Sequence, residues 1–187
     1  PGSAGATPIQ NVGAYGQEVA AAISSVRAYD RLTDQVVTLA ADQCHFGYRT
    51  STFKQSPLAD GSVGGRWVVL SVDLRLTRSP LSVPIRYAEL ARALDIPVGS
   101  RAPLAQVREA VLALRAKKGM LLDHSDPDTC SAGSFFTNPV LDRAGYEALC
   151  ARAESPHAWP GTDGSVKVSA AWLIEQAGFT KGYAGHG

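Results

Sequence analysis

The stretch WVVLSVDLRLT at residues 67–77 restricts the fold most. Leu70, Val72, Leu74 and Leu76 alternate with Ser71, Asp73, Arg75 and Thr77. A period of two puts successive side chains on opposite faces of a strand, so one face is expected against a core and the other in water. Ser79 and Pro80 end the pattern, because proline gives no amide to a ladder. A lone strand is not stable. Partners are expected upstream, where ISSVRAYD (23–30) and QVVTL (35–39) flank the turn sequence RLTD and predict a hairpin over 22–39.

Downstream the period changes to that of a helix. Leu104, Val107, Val111 and Leu114 fall on one stripe and predict a helix over 104–118, opened by Pro103. Lys117 and Lys118 occupy its last turn, where the helix dipole favours cations, and Gly119 stops it. Shorter helices are expected at 87–94, 142–152 and 169–177, the last capped by Ser169 and ended by Gly178. GTDGSVKVS before that helix reads as a turn and a short strand. The expected fold class is α+β, with a strand-rich part over 1–98, a boundary at IPVGSRAP (96–103) and a mixed part over 99–187.

Hydrophobic residues make up 45% of the chain and charged residues 19%, the balance of a globular protein rather than a disordered one. A net charge of +1 gives no bulk field for a nucleic acid or a membrane surface, and neither is expected as a partner. An anionic ligand would have to be met by a local cluster. No apolar run reaches the roughly 18 residues of a membrane span, and no secretory leader is read in the sequence. Cys44, Cys130 and Cys150 are odd in number and widely spaced, which predicts reduced thiols in the cytoplasm rather than a disulfide framework or a zinc site. PGSAGATP at the start and GFTKGYAGHG at the end read as loop, so the chain is expected to be a piece of a longer protein.

Four stretches carry chemistry. FGYRTSTFK (46–54) gathers Tyr48, Arg49, Ser51 and Lys54. A planar guanidinium suits a carboxylate and an ammonium suits a compact anion, so the cluster fits an anionic organic substrate; the alternative is a structural pair of Arg49 with a carboxylate such as Asp42. Lys117 and Lys118 are placed to reach phosphates, or else form a solvated helix end. DHSDPD (123–128) offers carboxylates and an imidazole, but it lacks calcium-loop spacing and reads as a turn; no metal is expected. SAGSFFTNP (131–139) sets Ser134 beside Phe135 and Phe136. It lacks the second glycine of a nucleophile elbow, which leaves a turn serine or a proton donor shielded by the rings.

Taken together, PGSAGATPIQNVGAYGQE, CHFGYRTSTFK, VREAVLALRAKKGMLLD, SAGSFFTNPV and DGSVKVSAAWLIEQAGFTKGY resemble the UDP-N-acetylenolpyruvoylglucosamine reductase (MurB) family, in order from residue 1 to about 183. The resemblance implies the later lobe of a flavin-binding, vanillyl-alcohol-oxidase-like domain over 1–98 and a mixed α/β substrate-binding domain over 99–187. It implies a cytoplasmic FAD enzyme of peptidoglycan precursor synthesis. In such an enzyme NADPH reduces the flavin, and UDP-N-acetylglucosamine enolpyruvate is reduced to UDP-N-acetylmuramate. By the same resemblance Ser134 protonates the substrate and Arg49 polarises its carboxylate. Gly2, Ser3, Gly5, Ala6, Asn11 and Val69 fall at FAD-binding positions. Tyr48, Tyr87, Lys118 and Asn138 belong to the substrate shell, with Tyr87 closing over the substrate and Lys118 on its diphosphate. A monomer is expected.

Two parts of the family pattern have no counterpart in the sequence. These are the glycine-rich pyrophosphate loop that precedes the matched region and a third catalytic group, a glutamate near the far C-terminus. Another FAD-dependent oxidoreductase of the same flavin-domain fold, or a non-catalytic nucleotide-sugar-binding remnant, are the alternatives.

Overall fold

The computed structural model describes residues 3–58, 60–61, 65–130, 133–180 and 183. Gly2 lies outside them. The fold is α+β and divides into two compact units, Pro1–Ser131 and Ala132–Gly187.

The first unit begins with a single 3-10 turn at Ala4–Ala6 and a short hairpin of β1 (Gly13–Ala14) and β2 (Gln17–Glu18). Tyr15 and Gly16 both have positive φ in its two-residue turn, the geometry that matches strand twist. The main sheet follows from β3 (Ile23–Asp30) and β4 (Gln35–Ala40), the hairpin read from the sequence. After a 3-10 turn at Ala41–Cys44 and α1 (Thr52–Gln55), β5 (Trp67–Leu74) completes an antiparallel sheet in the order β4-β3-β5. The central strand is the most buried: Val26 and Ala28 are fully enclosed and pack with Ile23, Cys44 and Phe53.

Of the four alternating apolar residues only Val72, in β5, faces the core. Trp67, Val69 and Val72 pack inward, whereas Leu70 is 48% exposed and Leu74 and Leu76 lie outside as well. For Leu70 the cause is a register shift. Arg27 pairs with Ser71 and Ala28 with Val69, so Leu70 is an extra residue that reverses the strand's phase.

The second core of this unit is built by α2 (Ala88–Ala93) and α3 (Leu104–Ala116). Ile85, Leu90, Ala91 and Ala102 are buried, with Val107, Val111 and Leu114 of α3 packed on them. Leu104 of the expected stripe is instead 48% exposed. It is the first helical residue, and its amide is drawn to the Pro80 carbonyl at 3.0 Å. The segment around residue 98 lies within this unit: Ser82 and Ile85 donate to the carbonyls of Ala102 and Ser100, both at 2.9 Å.

The second unit contains β6 (Val140–Leu141), α4 (Arg143–Cys150), β7 (Ala158–Pro160), β8 (Val166–Val168) and α5 (Ala170–Gln176). Its sheet runs β6-β8-β7, all antiparallel, with Val168 fully buried at the centre. Ser169 caps α5 through an acceptor contact to the Trp172 amide at 3.2 Å, and Gly178 follows with a φ of 94°. Asp142 caps α4 in the same way, accepting from the Gly145 amide at 2.8 Å.

Candidate functional site

In the first unit the glycine-rich start and the FGYR segment lock together around Asn11. This side chain is 1% exposed and sits at a φ of 43°, a left-handed conformation that asparagine tolerates. Its amide donates to Glu18 Oε2 at 2.8 Å and to the Gly47 carbonyl at 2.9 Å, and its oxygen accepts from the Ala20 amide at 3.1 Å. Both amide protons are therefore engaged within the protein.

Arg49 lies on this frame. It occupies the turn closed by Gly47 and Thr50, with a φ of 54°. Its Nη1 donates to the Asn11 carbonyl at 3.1 Å and its Nη2 to the Gly13 carbonyl at 3.2 Å. Glu18 is the neighbouring carboxylate, at 4.0 Å, and the guanidinium lies 5.4 Å from the Tyr48 ring centre. Asp42 is not its partner, since that carboxylate accepts from the Gln43 amide in its own turn. Gly13 is required here: a Cβ on it would stand 2.9 Å from the Gln17 backbone oxygen and 2.9 Å from Arg49 Nη1. A guanidinium has five N–H donors, so the two carbonyls fix its plane and leave donors for a ligand. Lys54 is tied to the same loop through Gln10 Oε1 at 3.1 Å and the Arg49 carbonyl at 3.0 Å. Ser51, buried, donates to the Ile9 carbonyl at 2.6 Å.

The other expected FAD positions differ among themselves. Ser3 and Ala6 are exposed and Gly5 is half-buried, with Ser3 Oγ accepting from the Gly5 amide at 3.2 Å. Val69 packs against the first core.

Tyr87 and Lys118 come together in the same unit. The Tyr87 ring meets Tyr15 edge to face with centres 5.6 Å apart. Lys118 Nζ donates to Glu89 Oε2 at 2.6 Å, and the charge of Lys118 lies within electrostatic reach of both tyrosines. The hydrogen bond from Lys118 is the main reason the Glu89 carboxyl is held below its usual range, and the same bond raises Lys118. A cavity of about 240 Å³ is lined by Tyr15, Gly16, Ile85, Arg86, Leu90 and Val107, among others. Gly13, Tyr15, Glu18 and Glu89 were not singled out by sequence. Only Tyr15-Gly16 carried a signal, that of a hairpin turn.

The loop at 123–129 borders a hollow of about 700 Å³. Its carboxylates serve their own turns. Asp123 accepts from the Ser125 amide at 2.9 Å and the Ser125 hydroxyl at 2.6 Å, which lowers its pKa, and Asp126 accepts from the Asp128 amide at 3.0 Å. Among the described residues no group of three His, Cys, Asp or Glu side chains could hold a metal ion. Nor is any described helix long and apolar enough to cross a membrane.

The second unit holds Ser134 and Asn138. Asn138 is half-buried, and its side-chain oxygen accepts from the Ala170 amide at 2.9 Å, at the start of α5. Ser134 is exposed, and Phe135 beside it is 92% exposed. The two phenylalanines contact each other, with ring centres 5.1 Å apart. Of the two readings left open by the sequence, a turn serine or a hydroxyl shielded by the rings, the exposure of Ser134 and Phe135 does not show the shielding. Residues 133–139 form no strand, so no ladder within them holds the rings over the serine.

Fold and site define an α+β chain whose functional candidates are cations set beside aromatic rings, the complement of an anionic organic ligand. Residues 126–187 match the family described as UDP-N-acetylenolpyruvoylglucosamine reductase, C-terminal domain. Along 99% of its length the chain is 65% identical to a UDP-N-acetylenolpyruvoylglucosamine reductase from Salinispora arenicola, covering 50% of that protein. Along 98% it is 53% identical to one from Thermobifida fusca, covering 51%. A crystal structure of UDP-N-acetylenolpyruvylglucosamine reductase from Thermus caldophilus aligns with 93% of this chain and 41% of its own, at 21% identity and a TM-score of 0.45. Residues 126–187 carry that family's C-terminal domain, and the high-identity relatives support a fragment of a UDP-N-acetylenolpyruvoylglucosamine reductase. The chain spans about half the length of the curated relatives it matches.

Proposed function

We propose that this chain is part of an NADPH-dependent, FAD-containing reductase. The reaction converts UDP-N-acetylglucosamine enolpyruvate to UDP-N-acetylmuramate in peptidoglycan precursor synthesis, in a cytoplasmic monomer. The observation that carries the reading is the 65% identity over 99% of the chain to a relative named for that reduction.

In this reading residues 1–98 contribute the later part of the flavin-binding domain and 99–187 the substrate side. Ser3 and Ala6 are exposed and Gly5 between them carries no side chain, which fits a cofactor that approaches close to the main chain. Asn11, with both amide protons engaged, would hold the loop rather than the cofactor. Val69 would support that lobe from the sheet. When bound, FAD would supply the redox chemistry that links NADPH to the enol ether.

The chain's own residues manage charge and protons. Arg49 is assigned the substrate carboxylate, which it meets with the donors left free by the Asn11 and Gly13 carbonyls. Negative charge that grows beside that carboxylate is stabilised by a guanidinium already fixed in place. Ser134 is assigned the proton delivered to the carbon next to the carboxylate, and Tyr48 supports Arg49. Tyr87 and Lys118 are assigned the nucleotide end, with the ammonium on the diphosphate, and Asn138 the ordering of the substrate side through α5. The test is purification of the full-length protein. It should be yellow, and NADPH oxidation should require the UDP-enolpyruvyl sugar. A colourless protein, or a yellow one inert to that sugar, would refute the reading.

A further inference from the structure

Lys118 already has an anion. Its ammonium is held at 2.6 Å by Glu89 Oε2, and the two side chains are 38% and 35% exposed, so the pair is neither sealed in the core nor fully in solvent. Glu89 stands in the first turn of α2 and Lys118 just beyond the end of α3, so the packing of these two helices sets the distance. Tyr87 and, after it, Arg92 one turn along α2 also hold the Glu89 carboxyl down, more weakly than Lys118 does. The carboxylate thus sits among the groups assigned to the nucleotide end.

We infer that Glu89 is a built-in competitor for the anionic ligand of Lys118. The inference rests on the diphosphate contact proposed above. A diphosphate arriving at Lys118 brings negative charge to within a few ångströms of Glu89. Either the ion pair breaks or two like charges share one ammonium, and both outcomes lower affinity. Glu89 also gives Lys118 a fixed position between ligands, so its removal trades order for attraction. The net effect is governed by charge, because an exposed pair contributes little to folding.

Binding of uridine diphosphate to the full-length protein tests this, by calorimetry at low and high ionic strength. Glu89→Gln, which keeps the size and one acceptor oxygen but removes the charge, should bind about two- to fivefold more tightly than the parent at low salt. The gain should shrink as salt screens the charge. Glu89→Ala should move in the same direction if it retains a parental melting temperature. Lys118→Ala should bind more weakly. If Lys118→Ala weakens binding but Glu89→Gln leaves it unchanged or weaker, the competitor role is overturned and the diphosphate contact stands. If Lys118→Ala binds as the parent does, the diphosphate contact itself falls, and the inference with it.

Discussion

Arg49 donates from Nη1 to the backbone carbonyl of Asn11 at 3.1 Å, so the guanidinium assigned to the substrate is also a clamp on the glycine-rich start. A lysine cannot reproduce this, since it lacks the planar fork that reaches the Asn11 and Gly13 carbonyls together. Arg49→Lys should therefore lower both the melting temperature, by a few degrees, and the turnover of the remaining folded enzyme, by on the order of tenfold or more. Parallel thermal melts and steady-state rates check this. A lowered melting temperature with unchanged turnover would reduce Arg49 to a structural clamp.

Asn11 should be costly to replace. Asn11→Ala leaves the Ala20 amide without its partner and the Gly47 carbonyl with the Thr50 amide alone, and it puts alanine at a φ of 43°. The lost hydrogen bonds and the backbone strain together predict a loss of about 2–4 kcal/mol. Denaturant unfolding should show a lower midpoint at an unchanged slope, and a midpoint like the parent's would contradict the hydrogen-bond assignment.

How much of this was legible in the sequence follows from what each feature depends on. The β3–β4 hairpin, α3, and the Ser169 cap with Gly178 behind it rest on local patterns, and they form where those patterns put them. The buried face of β5 does not, because the extra residue at Leu70 is fixed by pairing with β3, some 40 residues upstream. The neighbours of Arg49 were equally hidden. Two of its partners are backbone carbonyls, which no residue type announces, and Glu18 is remote in the chain. Glu89 and Lys118 are 29 residues apart and meet only because α2 packs on α3.

The Asp30–Arg66 pair should show in acid. Asp30 is buried and accepts from Arg66 Nε at 2.9 Å and Nη2 at 2.6 Å, and chiefly through these bonds its carboxyl is held far below the ordinary range. In the unfolded chain it titrates near pH 4. The unfolded state then binds the proton first, so the contribution is complete above about pH 4 and declines as pH falls toward the folded value. Asp30→Asn should remove that part of the acid slope in melting temperature between about pH 4 and pH 2. An identical slope in the variant would show that other carboxylates carry it.

Tyr87 should act on binding chiefly through its ring rather than through charge. Its ring packs edge to face on Tyr15, an arrangement worth about 0.5–1.5 kcal/mol. Tyr87→Ala should raise the dissociation constant for the UDP-sugar at low and high salt alike, whereas the loss in Lys118→Ala should be smaller at high salt. Titrations at two ionic strengths separate the two residues, and a salt-dependent loss in Tyr87→Ala would contradict its assignment.

The most direct measurement is stopped-flow separation of the two half-reactions in full-length Ser134→Ala. Ser134 is exposed and clear of both cores, so the variant should fold as the parent does. If Ser134 donates the proton, reduction of bound flavin by NADPH should keep its rate. Reoxidation by the enolpyruvyl substrate should slow by at least about 10²-fold, the lower end for a lost general acid. An unchanged reoxidation rate in folded, flavin-loaded Ser134→Ala would remove Ser134 from the chemistry and contradict the proposed proton transfer.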